Sequence, residues 1–125
     1  MRAVLDTSVL TGADAPADVE AAISAASLAE LHFGVLVARD EAERARRVQR
    51  LGAIEATFDP LAVDAEVARE WGRLAAAVAQ RGGAPRRRTM DLVIAATANV
   101  HGVALLTRDV ADLQIIADLV DVRPA

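Results

Sequence analysis

Short apolar runs alternate with longer stretches of helical periodicity along the chain. Residues 3–5 predict a buried strand that runs straight into Asp6, Thr7 and Ser8. Gly12, Ala13, Asp14, Ala15 and Pro16 read as a loop, from the breakers they combine. Residues 19–26 suit a short helix or a strand. Ser27 stands three residues before Glu30, a capping-box spacing, so a helix is predicted to open there with Leu28, Leu31 and Val35 on one face and Glu30 off it. Residues 41–51 predict a second helix carrying Arg44, Arg46, Arg47 and Arg50, and 58–61 an extended stretch or turn. Residues 64–80 give the clearest helix: Val67, Trp71, Leu74 and Val78 recur at the spacing of one buried stripe. Residues 81–88 read as a flexible basic loop. Thr89 and Asp91 begin another helix, which His101 and Gly102 stop. Residues 103–106 predict a strand ending at Thr107, Arg108 and Asp109; 110–116 a short helix; 119–122 an edge strand.

Strands alternating with helices predict a mostly parallel sheet with helices on both faces. At 125 residues, without an internal repeat, the chain is expected to be one domain, 1–125. It has 54% hydrophobic and 26% charged residues, which places it among globular chains. Aromatics are only Phe33, Phe58 and Trp71, so a base-stacking platform is not the main recognition device. The absence of cysteine removes thiolate ligands, disulfides and a Cys nucleophile. No apolar run is long enough for a membrane span and Asp6 interrupts any leader-like start, so the expected location is cytoplasmic. The net charge of −4 argues against a general nucleic-acid binder, although acids gathered round a metal add to that sum while serving a local purpose.

Asp6 ends the first predicted strand, and Asp109 follows the late strand in the same context of apolar run, hydroxyl and acid. Parallel neighbouring strands would bring both to one sheet edge, where ligands bind in open α/β sheets. Glu30 and Asp91 stand near helix starts that can face the same crevice; a favourable interaction with each helix N-terminus explains them equally well. Carboxylates crowded together resist ionisation unless a cation lies between them. An all-oxygen set points to Mg²⁺, or Mn²⁺, and to phosphodiester hydrolysis.

Four motifs in order carry a family resemblance across essentially the whole chain. Val4-Leu5-Asp6-Thr7-Ser8 resembles the opening motif of PIN-domain nucleases, and Leu28-Ala29-Glu30-Leu31-His32-Phe33-Gly34 their second. Asp91-Leu92-Val93-Ile94-Ala95-Ala96-Thr97-Ala98 resembles the third, and Leu105-Leu106-Thr107-Arg108-Asp109 the fourth. Size and motif style are similar to VapC toxins, the ribonuclease half of bacterial VapBC toxin–antitoxin pairs. The resemblance implies a PIN-like three-layer α/β/α sandwich, one or two divalent ions on Asp6, Glu30, Asp91 and Asp109, endonucleolytic RNA cleavage, a cognate VapB-like antitoxin and a homodimer. Thr7, Ser8 and Thr107 are candidates for orienting a carboxylate or water, and equally for closing turns. Many relatives have Asn at the position of Asp109 and an Asp three residues later; here both are acids, so Asp109 is expected on the metal and Asp112 as an auxiliary acid or a helix-start charge.

Arg86, Arg87 and Arg88 precede Asp91, and Arg108 adjoins Asp109, so these four are candidate phosphate contacts, with a solvated surface loop as the alternative for the triplet. The cluster from Arg44 to Arg50 suits an RNA-facing, an antitoxin-facing or a merely solvated helix face, and the last two together are favoured. His32 points away from the side of Glu30, and His101 sits at a helix end; neither is expected to be a catalytic base. Trp71 is read as core or dimer packing. Three other functions compete. A Mg²⁺-binding receiver-type signalling domain needs an acidic pair near the first strand and a late-strand lysine, which is absent, and leaves Glu30 and Asp91 unexplained. An Asp-x-Asp phosphatase fails because Ser8 holds the third position. A non-catalytic PIN-like binding scaffold is expected to lose acids, and all four are present.

Overall fold

The computed structural model describes residues 1–12 and 18–125, so four residues of the loop expected at 12–16 lie outside it. Strand β1 (Arg2–Leu5) is followed by a one-turn helix α1 (Thr7–Leu10), β2 (Glu20–Ala22), α2 (Ala25–Leu36), α3 (Glu41–Thr57), α4 (Ala65–Gln80), α5 (Thr89–Val100), β3 (Ala104–Thr107) and β4 (Val122–Pro124). Two 3₁₀ segments, Pro85–Arg88 and Val110–Ile116, flank α5 and β3.

The sheet has the order β2-β1-β3-β4 and every pair is parallel. Its pleat divides the core. Val4 and Leu105 face a cluster built from α4, α5 and the second 3₁₀ segment, including Val67, Leu74, Ile94 and Ile116. Ala3, Leu5, Ala104 and Leu106 face the opposite cluster, with Leu31, Leu51 and Ile54 from α2 and α3. This is the period-2 alternation of a sheet covered on both faces, and it gives the three layers expected from the sequence. No helix among the described residues is long and apolar enough to cross a membrane.

Local chemistry fixes the helix ends. Asp64 accepts the Val67 N–H at 3.0 Å and Asp40 accepts the Glu43 N–H at 2.8 Å, so α4 and α3 begin on side-chain caps. After α4, Gly82 takes φ 85° and the Gly83 N–H returns to the Val78 carbonyl at 2.8 Å; after α5, Gly102 takes φ 65° and the Val103 N–H reaches the Ala98 carbonyl at 3.0 Å. Both are Schellman closures, which place a left-handed residue where only glycine is unstrained.

Several expectations are corrected. Ser24, not Ser27, caps α2: its Oγ accepts the Ala26 N–H at 3.0 Å, and Ser27 lies buried inside the first turn. Residues 19–26 resolve into strand β2 followed by that cap. Helix α3 continues to Thr57, because nothing interrupts it before Asp59-Pro60 and Ile54 extends the buried stripe of Leu51. The basic loop closes into a 3₁₀ turn from Pro85, whose fixed φ favours a first helical position. The last strand lies at Val122–Pro124, because Leu119 and Val120 turn back onto the Ile116 carbonyl.

Candidate metal and RNA site

The register Leu5↔Leu106 sets the next residues, Asp6 and Thr107, side by side at the C-terminal edge of the sheet. The Asp6 N–H donates to the Leu106 carbonyl at 2.8 Å, which carries the pairing one residue past the strand. Thr107 Oγ1 donates to Asp6 Oδ2 at 2.9 Å and Ser8 Oγ donates to the same oxygen at 2.7 Å. Asp6 is thus buried with one oxygen held by two hydroxyls, while among the described residues no donor engages Oδ1. Thr107 also accepts the Asp109 N–H at 3.0 Å, and Ser8 accepts the Arg108 N–H at 3.1 Å, so the turn leaving β3 is tied to the same hydroxyls.

Glu30 arrives from the second turn of α2. Thr7 Oγ1 lies 2.7 Å from Glu30 Oε1 and 3.1 Å from Ser27 Oγ. A hydroxyl has one proton, and the closer, charged acceptor takes it; Ser27 then donates in turn to Thr7. Adjacent residues of α1 therefore serve different acids, Thr7 on Glu30 and Ser8 on Asp6.

Asp91 stands in the first turn of α5, facing both. Burial, followed by the negative charges of Asp6 and Glu30, pushes its carboxyl up to about 6; Arg88 opposes this and Asp112 adds to it. Arg88 lies 3.7 Å from Asp91 and 3.0 Å from Asp112, forming a cationic bridge on the rim. Asp109 begins the second 3₁₀ segment, and it is not among the charges that shift Asp91. Glu30 and Asp91 therefore line one crevice, the charge of buried Asp6 acts on Asp91, Asp112 is coupled to it through Arg88, and Asp109 is tied to Thr107 by its backbone.

The donor set suits a hard divalent cation, since every candidate is a carboxylate and sulfur or ring nitrogen takes no part. As the side chains lie, no three His, Cys, Asp or Glu groups among the described residues are clustered to hold an ion. Arg86, Arg87 and Arg88 line one side of the crevice with Glu30 and Asp91. Arg108 extends over Gly12, where a Cβ would stand 2.7 Å from its Nε, so a side chain there would have to shift the guanidinium. His32 is turned away on the partner face of α2, 2.7 Å from Glu55 of α3. Trp71 is partly buried in the core and donates its indole N–H to the Thr89 carbonyl at 3.2 Å. Sequence reasoning missed Ser27 as the support of Thr7, and the Arg88–Asp112 pair. The three-residue spacing of Ser27 and Glu30 is visible in the sequence, where it suggests a cap.

An all-parallel sheet carrying acids at its C-terminal edge in this order defines a class of protein, and comparison identifies it: the family model described as the PIN domain matches residues 3–118. The chain is 36% identical over 115 residues to Ribonuclease VapC4 of Mycobacterium tuberculosis, covering 86% of each, and 35% identical over 113 residues to Ribonuclease VapC5 of the same organism, covering 85% of this chain and 82% of the relative. A chain in the crystal structure of VapBC-5, a member of the VapBC family of toxin–antitoxin systems from M. tuberculosis, superposes with a TM-score of 0.84 at 34% identity, covering 98% of this chain and 96% of that one. The chain belongs to the PIN-domain family and, within it, to the VapC ribonuclease toxins.

Proposed function

We propose that this chain is a Mg²⁺-dependent endoribonuclease whose ions are held by Asp6, Glu30 and Asp91, with Asp109 or Asp112 as the fourth acid. The observation that carries the reading is the separate fixing of Asp6 by Ser8 and Thr107 and of Glu30 by Thr7, with no donor on the second oxygen of either among the described residues and the charges of both acting on Asp91. Hydroxyls spent on orienting acids at a sheet edge make sense where those acids must hold a ligand. The charge of Asp112 acting on Asp91 favours Asp112 for the fourth place; the tie between the Asp109 backbone and Thr107 keeps Asp109 close. Mg²⁺ (or Mn²⁺) bound there, as one ion or two, supplies an activated water and neutralises charge on the scissile phosphate.

The chain's own residues then have distinct tasks. Arg86 and Arg87 meet the phosphate backbone on the Asp91 side of the crevice, and Arg108 does so beyond Asp109. Arg88 holds Asp112 and screens Asp91, which limits repulsion while the site is empty of substrate. The names of the two ribonuclease relatives support RNA as substrate, and the toxin–antitoxin title of the solved relative supports a VapB-like antitoxin as the inhibiting partner. Phe33 and Leu36, 66% and 76% exposed at the end of α2, offer an apolar surface for that antitoxin or for a second copy in a homodimer. The test is Mg²⁺-dependent cleavage of RNA by the purified chain against Asp6→Asn and against chelator. Equal cleavage by the Asn variant would remove the metal-site reading.

A further inference from the structure

The four arginines of α3 are not equivalent. Arg44 pairs with Glu41, and Arg46 and Arg47 both pair with Glu43, holding its carboxyl below the ordinary range. Arg47 also donates to the Gly34 carbonyl at 2.6 Å and so clamps α3 to α2. Arg50 has no hydrogen bond or ion pair among the described residues, and no acid stands three or four positions to either side of it on the helix. It lies on the wall of a cavity of about 340 Å³ that also exposes Thr7, Glu30 and Gly34. Glu30 lines this cavity and also the crevice containing Arg86, Arg87 and Asp91. The side chains of Arg86 and Arg87 likewise have no ion partner among the described residues. Unpaired guanidinium groups therefore line both the cavity and the crevice that Glu30 joins, while Arg44, Arg46 and Arg47 are each held in an ion pair, the last two sharing Glu43.

Building on the ribonuclease reading, we infer that Arg50 is a second phosphate contact, so that the RNA backbone crosses the acids from the Arg86–Arg87 side to the α3 cavity. An acidic site repels a polyanion, and unpaired cations at both ends let successive phosphates bridge it. Arg47 positions this contact through its grip on Gly34 and is not itself available for phosphate. The cavity gives the strand a place to lie beside Glu30 without displacing the Thr7 hydroxyl.

The test uses a fluorescein-labelled, mixed-sequence single-stranded RNA, titrated by anisotropy over a series of salt concentrations in an Asp6→Asn background, with no divalent ion. Arg50→Gln should weaken binding several-fold and reduce the log–log salt slope by about 0.7, the share of one phosphate on a single strand. Arg50→Lys should keep the slope, and Arg46→Gln, which removes an already paired charge, should change neither. In the cleavage-competent chain, Arg50→Gln should raise KM with little change in kcat. Gln is a good helix former and Arg50 is exposed, so the variant keeps the fold. An unchanged slope for Arg50→Gln, or an equal loss for Arg46→Gln, overturns the assignment. Weaker association with the antitoxin at an unchanged RNA slope gives the cavity to a protein partner and also overturns it. A parent chain that cleaves no RNA fails at the earlier step and removes the ribonuclease reading itself.

Discussion

Thr107 and Asp6 lie on neighbouring strands 101 positions apart in the chain, and the fully buried hydroxyl of one donates to Oδ2 of the other at 2.9 Å. The same hydroxyl accepts the Asp109 N–H, so one oxygen connects the first acid of the chain with the turn that carries Asp109. Thr107→Val keeps the shape and removes both bonds. Stability should fall by about 1–2 kcal/mol, chiefly because the Asp109 N–H loses its acceptor. RNA cleavage should fall roughly 10- to 100-fold with a higher Mg²⁺ requirement, as expected for a group that orients a ligand, whereas Thr107→Ser should keep most of it. A Mg²⁺ titration of cleavage, beside urea unfolding, measures both. Full activity at an unchanged Mg²⁺ midpoint in the Val variant would make the hydroxyl purely structural.

Asp91 makes stability depend on pH. Its folded carboxyl is pushed up to about 6, above its ordinary value of 3.8, by burial and by Asp6 and Glu30. Between those two values the folded chain binds the proton and the unfolded chain does not, so this group lowers stability as pH rises through that window. Asp91→Asn should therefore stabilise the metal-free protein at pH 7, on the order of 1 kcal/mol once solvent screening of a half-exposed carboxyl is allowed for. The gain should shrink as pH falls through 6 and vanish below 3.8. Thermal unfolding in chelator over this pH range checks it; a gain that is constant with pH would contradict the repulsion. Saturating Mg²⁺ should stabilise the parent chain more than the Asn variant.

The fourth acid can be decided by exchange. Asp112 acts on Asp91 and pairs with Arg88 at 3.0 Å, whereas Asp109 contributes its backbone N–H to Thr107. Asp112→Asn should reduce cleavage more than Asp109→Asn does, and should raise the Mg²⁺ requirement. Initial rates at several Mg²⁺ concentrations give the order. The opposite order would put Asp109 on the metal and leave Asp112 as the anchor of Arg88.

The legible part of this molecule was the part written in local pattern. The stripe of Val67, Leu74 and Val78 marks α4, and the shared context of Asp6 and Asp109 marks the sheet edge, where the structure sets Asp6 beside Thr107. The illegible part lies in contacts made across the fold. Helix α1 is only four residues long and begins at Thr7 without a side-chain cap, so no periodicity announces it; yet that single turn delivers Thr7 to Glu30 and Ser8 to Asp6. The arginines of α3 looked alike as a cluster. Their division was nevertheless present in the spacing, because Glu41 and Glu43 stand three or four residues before Arg44, Arg46 and Arg47, and Arg50 has no such acid.

Ser24 and Ser27 divide structure from function on one helix start. Ser24 is fully buried, caps α2 through the Ala26 N–H and lies 3.4 Å from Thr97 Oγ1 on α5, while its backbone bridges to Leu61. Ser24→Ala loses the cap and leaves the Ala26 N–H without its acceptor, so it should cost about 1–2 kcal/mol. Ser27 is just as buried, but its hydroxyl meets Thr7, which holds Glu30. Ser27→Ala should therefore unfold at nearly the parent urea midpoint and lose cleavage through a less firmly held Glu30. Paired measurement of urea midpoints and cleavage rates should give a crossed result: Ser24→Ala less stable with activity kept below its unfolding transition, and Ser27→Ala stable with activity reduced. If both variants lose stability equally and neither loses rate, the chain from Ser27 through Thr7 to Glu30 has no part in the reaction.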